Sequence, residues 1–142
     1  MLTLIVTGHG HFASGISSSL DLIMGRPESY ETIDFPLGSN IVELEEKFDE
    51  CLSKHQDDKI MILCDLFGGS PFNIAMKKAM INKNIEVYYG LNLGMLMEIC
   101  SRIQFAEEDV SFDDIVEIGQ KQVGKLNLDD LDSEEEESEE DL

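Results

Sequence analysis

The chain has 142 residues and is 42% hydrophobic, enough for one domain with its own apolar core. It carries 30 acidic against 10 basic residues, a net charge of -20, which argues against a nucleic-acid partner, because phosphate backbones need a basic footprint. No apolar run approaches the roughly 20 residues of a membrane-spanning helix, and the start MLTLIVTGHGHF lacks the basic region and cleavage site of a signal peptide, so a cytoplasmic location is expected.

Leu2 to Thr7 form a nearly continuous apolar run, the pattern of a strand buried on both faces. Gly8 and Gly10 break it. Ile16, Leu20, Ile23 and Met24 then recur at helical spacing from about Ala13, and Gly25 and Pro27 end that helix. Tyr30 to Phe35 reads as a second strand. A turn follows through Pro36, Gly38 and Ser39, with Asn40 as N-cap of a helix marked by Ile41, Leu44, Phe48 and Leu52. Lys59 to Cys64 is a third strand, followed by the loop DLFGGSP and a helix from about Phe72 to Ile81. A fourth strand is expected over Ile85 to Tyr89, then helices over Leu93 to Ser101 and Phe112 to Gln122.

Strands alternating with helices predict an α/β domain: an open, mostly parallel, doubly wound sheet with helices on both faces, spanning residues 1–128. The remaining 129–142, DDLDSEEEESEEDL, holds ten acidic and no basic residues. Self-repulsion and scarce apolar groups predict a disordered tail there. Cys51, Cys64 and Cys100 are odd in number, widely spaced and without a CxxC pair, so free thiols in a reducing compartment are expected. Nothing in the pattern calls for a metal or a cofactor.

Open parallel sheets bind ligands beyond the carboxyl ends of their strands, at the point where strand order reverses. The first strand ends in Gly8-His9-Gly10-His11 and the third in Asp65 followed by LFGGSP. If those strands are neighbours, His9 and Asp65 lie side by side. A neutral imidazole with one free nitrogen is a nucleophile toward phosphorus, and a carboxylate on the other nitrogen fixes the tautomer. Gly68, Gly69 and Ser70 lead into a helix N-terminus, where N–H groups and the helix dipole favour an anion. Each feature also has a plainer reading: His9 as a surface group, Asp65 as a turn cap, the glycines as a tight turn. His11 is an alternative to His9, but it opens a helix, which favours capping. His55, within KHQDDK, is expected to be solvated.

GHGHFASGI at 8–16, IDFPLGSN at 33–40 and CDLFGGSPFN at 64–73 resemble the enzyme IIA domain of the mannose/fructose/sorbose-type sugar phosphotransferase system. The resemblance covers roughly residues 1–125. It implies that His9 takes a phosphoryl group from the histidine-containing phosphocarrier protein and passes it to a IIB subunit. IIB would then phosphorylate a sugar during uptake through the IIC and IID membrane components. It matches the family's aspartate to Asp65 and its serine to Ser70. It further implies a homodimer that exchanges a C-terminal strand, which would fall near Val123 to Leu128. Since the chain runs into an acidic tail, a separate IIB protein is expected.

Three other readings compete. A receiver domain shares the fold, but needs acidic metal ligands where this chain has Thr7, Gly8 and His9. The phosphocarrier subunit of a dihydroxyacetone kinase shares the fold and the histidine, but GGSPFN after the aspartate is not expected there. A non-catalytic module that binds an anion at the same edge is the third.

Overall fold

The computed structural model describes residues 1–106 and 109–133. The strands are β1 (Leu2–His9), β2 (Tyr30–Phe35), β3 (Lys59–Cys64) and β4 (Ile85–Tyr88). The helices are α1 (Phe12–Ile23), α2 (Ile41–Ser53), α3 (Gly69–Ile81), α4 (Leu93–Phe105) and α5 (Ile115–Gln120), with a short 3-10 helix at Leu128–Ser133. The sheet order is β2-β1-β3-β4, and all three pairings are parallel.

Side chains alternate across the two faces, so each strand feeds two cores. On one face Leu4, Val6, Met61 and Leu63 pack with Leu20 of α1, Leu96 and Ile99 of α4, and Ile115 of α5. On the other, Ile5, Ile33, Ile62 and Ile85 pack with Leu44 and Phe48 of α2 and Ile74 of α3. This double burial is the reason β1 and β3 are apolar at nearly every position. The doubly wound α/β architecture expected from the strand-helix alternation is therefore present.

Several boundaries move. β1 runs on through His9, because Gly8 and His9 stay in register with Asp34 and Phe35 of β2. α3 starts at Gly69, three residues before the expected Phe72: Gly-Ser-Pro reads as loop by composition, yet these residues form the first turn, where a proline costs no internal hydrogen bond. α4 continues to Phe105 and α5 shortens to Ile115–Gln120. Asn40 caps α2 as expected, its side chain accepting the Glu43 N–H at 2.9 Å. Residues 123–127 carry no regular structure in the single chain. Of the segment read as a disordered tail, residues 129–133 fall in the 3-10 helix, and 134–142 lie outside the described residues. All three cysteines are free and buried, and burial is the main cause that pushes each thiol up to about 12. Among the described residues no helix is long and apolar enough to cross a membrane.

Candidate functional site

From β1 the chain turns through α1 to β2 on one side, and from β3 through α3 to β4 on the other. The connections therefore diverge between the adjacent strands β1 and β3, and a crevice opens at their carboxyl ends. His9 is the last residue of β1 and Asp65 the first after β3.

The two side chains meet. His9 Nδ1 lies 2.9 Å from Asp65 Oδ2, and the same oxygen accepts the His9 backbone N–H at 2.9 Å. Asp65 Oδ1 accepts the Leu66 N–H at 2.9 Å. The carboxylate thus fixes the ring, its backbone and the following turn together. An ionised carboxylate only accepts, so Nδ1 donates its proton and Nε2 of the neutral ring keeps its lone pair. The His9 side chain is 44% exposed and that of Asp65 10%, so the ring is reachable while its anchor is sheltered. Gly8 makes the approach possible: a β-carbon there would stand 2.8 Å from Asp65 Cγ.

Nε2 faces the start of α3. A β-carbon on Gly69 would stand 2.8 Å from His9 Nε2 and 2.7 Å from Cε1, so the imidazole rests on the bare face of that glycine. Gly68 is the N-cap residue at φ 81°, ψ -175°, a conformation essentially confined to glycine. The first N–H groups of α3 have no partner within the helix, and with the dipole they favour an anion beside the ring. Ser70 stands on this first turn and lines a shallow recess of about 760 Å³ with Phe35, Ile41 and Val42. Ser39, Asn40, Glu43 and Glu46 complete its lining. Leu37, Leu66 and Phe67 are exposed on the loops after β2 and β3, and Phe67 meets Phe72 at a tilt and Tyr89 edge-on, with ring centroids 5.0 Å away in each case. The segments 8–14, 33–46 and 64–76 contain no lysine or arginine.

Two histidines depart from expectation. His11 occupies the N-cap position of α1 but makes no side-chain cap; its Nδ1 lies 3.3 Å from Asp34 Oδ2 instead. His55, expected in solvent, has an 18% exposed side chain. Its Nδ1 is 3.1 Å from Asp58 Oδ2 and its Nε2 3.4 Å from Glu31 Oε2, in a cluster at the amino ends of the strands, away from the crevice. Asp34 is the residue that sequence reasoning passed over. It stands at the end of β2, as Asp65 stands just past the end of β3, and that position was the available signal.

Fold and site together define an open parallel α/β domain whose switch-point crevice holds a histidine–carboxylate pair against a helix N-terminus. The family model "PTS system fructose IIA component" matches residues 3–117. The mannose-specific EIIAB component of the phosphotransferase system of Escherichia coli (strain K12) is 32% identical over 116 residues, covering 81% of this chain and 35% of that protein. The chain therefore spans about a third of that relative's length. The fructose-specific EIIA component of Bacillus subtilis is 29% identical, covering 71% of this chain and 70% of that one. Among solved structures, EIIA from Streptococcus agalactiae superposes with a TM-score of 0.73 at 30% identity, covering 88% of this chain and 97% of its own. The mannose/sorbose-specific IIA subunit from Enterococcus faecalis gives 0.77 at 25% identity, covering 89% and 95%. The chain belongs to the mannose-type IIA family of the sugar phosphotransferase system.

Proposed function

We propose that this chain is a phosphoryl carrier and that His9 Nε2 is the atom that carries the phosphate. The observation that supports it most is the division of the ring: Nδ1 is held by Asp65 while Nε2 faces the N-terminus of α3 at Gly69. The lone pair of Nε2 attacks the phosphorus of a donor phosphohistidine. The donor ring is protonated on its other nitrogen, so when the P–N bond to it breaks the donor imidazole leaves neutral with its electron pair. No proton moves. The His9 ring gains positive charge as the new bond forms, and the Asp65 carboxylate stabilises it. The N–H groups at Gly68, Gly69 and Ser70, with the Ser70 hydroxyl, take the equatorial oxygens, so catalysis is positioning and charge stabilisation. Because the surrounding loops hold no lysine or arginine, further countercharge comes from the partner.

The donor is the histidine-containing phosphocarrier protein. The acceptor is a IIB subunit, which phosphorylates a sugar taken up through the membrane components. The exposed apolar side chains Leu37, Leu66 and Phe67 suit successive docking of both partners. A homodimer belongs to the same reading: among the described residues no strand pairs with the outer edge of β4, and an apolar groove of about 460 Å³ lined by Tyr88, Val116 and Val123 runs beside it.

The test is labelling with radioactive phosphoenolpyruvate and the two general phosphotransfer proteins. Wild type and His11→Ala should take label, and His9→Ala none. Label retained by His9→Ala would overturn the assignment. Chasing the label into a IIB subunit, with a dihydroxyacetone kinase as the alternative acceptor, decides the destination.

A further inference from the structure

We propose that Asp34 is a positioning residue for His9, acting as a clasp that fixes the loop on which the histidine is carried; this rests on the reading of His9 as phosphate carrier. The connection from β1 to α1 is only Gly10 and His11. It is pinned on three sides. Asp65 holds His9 itself. Gly10 exchanges two backbone hydrogen bonds with Phe35, at 2.8 and 3.1 Å, as an isolated antiparallel bridge. The third pin is Asp34, which reaches from the end of β2 to the first turn of α1. Its Oδ1 accepts the Ser14 N–H at 3.0 Å, and its Oδ2 accepts the Ser14 hydroxyl at 2.6 Å and faces His11 Nδ1 at 3.3 Å.

These contacts do what a helix cap does, but from another strand. The side chain of His11 does not cap α1, and the Ser14 N–H is one of the orphan donors of the first turn. Asp34 satisfies it and ties α1 to β2, beside the residue, Phe35, that pairs with Gly10. The Asp34 side chain is 21% exposed and that of His11 77%, so the carboxylate is partly enclosed while the clasp itself lies at the surface. Lys47, Glu50 and Lys54 line a recess with Asp34, and the Lys47 Nζ lies 3.5 Å from the Asp34 carbonyl. With the clasp closed, the loop has one path, and His9 presents one face to Gly69. With it open, α1 can start elsewhere, the loop relaxes, and Nε2 loses its fixed line to the α3 N-terminus.

A partner-free donor separates loop geometry from docking. Potassium phosphoramidate phosphorylates imidazole directly: Nε2 attacks phosphorus, the P–N bond breaks and ammonia leaves. Asp34→Ala should slow labelling of His9 about ten-fold, the scale on which small misplacements act. Asp34→Asn should recover most of that rate, since its carbonyl still accepts the Ser14 N–H. In parallel, ¹⁵N spectra of the His9 ring should show one tautomer with Nδ1 protonated in wild type and in Asp34→Asn, and a tautomer mixture in Asp34→Ala. Equal rates and identical His9 spectra for wild type and Asp34→Ala would overturn the clasp, as would rate losses in both variants that track the fraction unfolded. If wild type takes no phosphate yet the spectra change as expected, the carrier reading fails and the clasp stands.

Discussion

One oxygen of Asp65 binds His9 twice: Oδ2 accepts both the ring Nδ1–H and the backbone N–H, each at 2.9 Å. A carboxylate that only capped its own turn would need neither bond. The consequence is a chemical choice between the two ring nitrogens. Asp65→Ala frees the ring and should slow phosphoryl transfer by about 10²-fold, with a smaller effect on melting. Asp65→Asn is the sharper test. An amide –NH₂ can donate to Nδ1, which moves the ring proton to Nε2 and removes its lone pair, so Asn should be no better than Ala despite its shape. If instead Asp65→Ala lowers the melting temperature while the folded fraction transfers phosphate at the wild-type rate, Asp65 is only a turn cap.

The sequence carried most of the fold for identifiable reasons. Leu2–Thr7 and Lys59–Cys64 are apolar at nearly every position because both faces of these strands are covered, and that is visible without coordinates. His9 and Asp65 were legible because both stand where strands end. The other contacts were not, because their partners are distant in the chain. Asp34 meets Ser14 across 20 residues and His11 across 23. His55 sits in a polar stretch that reads as solvent-facing, yet Thr3 and Glu31 come from two other strands to enclose it. Local composition also hid the start of α3, since Gly-Ser-Pro serves equally in a loop and in a first helical turn.

Acid should weaken the fold through carboxylates held at the strand ends. Asp58 lies below its ordinary value of 3.8 chiefly because the Thr3 hydroxyl donates to it, with partial burial opposing and His55 and the amino terminus adding to the effect. For Asp34, burial pushes upward, but the Ser14 and His11 hydrogen bonds outweigh it and the net direction is down. A carboxyl whose folded value is depressed contributes stability that is complete above the unfolded value and lost as pH falls through the folded one. Unfolding free energy should therefore be level at mildly acidic pH and decline below 3.8. Denaturant titrations across that range should give Asp58→Asn a shallower decline than wild type. Parallel declines would mean that Asp58 takes no part.

The outer edge of β4, which no other strand pairs with among the described residues, bears on assembly. Val123, Leu126 and Leu128 are 79%, 69% and 68% exposed in the single chain, and Val123 lines the apolar groove beside β4. An edge strand with apolar neighbours invites pairing with another chain. Sedimentation should give a dimer at micromolar concentration. Truncation after Leu128 should leave both the dimer and the melting temperature intact, since the acidic tail has little to pack. Truncation after Gln122 should yield a monomer of lower stability. A monomeric wild type, or a dimer that survives the shorter truncation, would refute this mode of assembly.

Gly68 and Gly69 allow backbone strain to be separated from contact with the reactive ring. Both have φ at +81°, so an alanine at either position is strained by about 1–3 kcal/mol. They differ in what the new methyl group meets. At Gly68 nothing lies within 4 Å, whereas at Gly69 the methyl would fall 2.7 Å from His9 Cε1 and 2.8 Å from Nε2. The ring would have to turn away, breaking either its bond to Asp65 or its line to the N–H groups of α3. Both variants should therefore melt lower by similar amounts, but Gly69→Ala should lose about 10²-fold in the rate of phosphorylation, while Gly68→Ala loses a few-fold at most. The comparison needs only melting curves and labelling rates on the two purified proteins. Equal rate losses would place the effect in the backbone of the loop. A large loss confined to Gly69→Ala would show that the bare face of that glycine is what leaves Nε2 open to phosphorus.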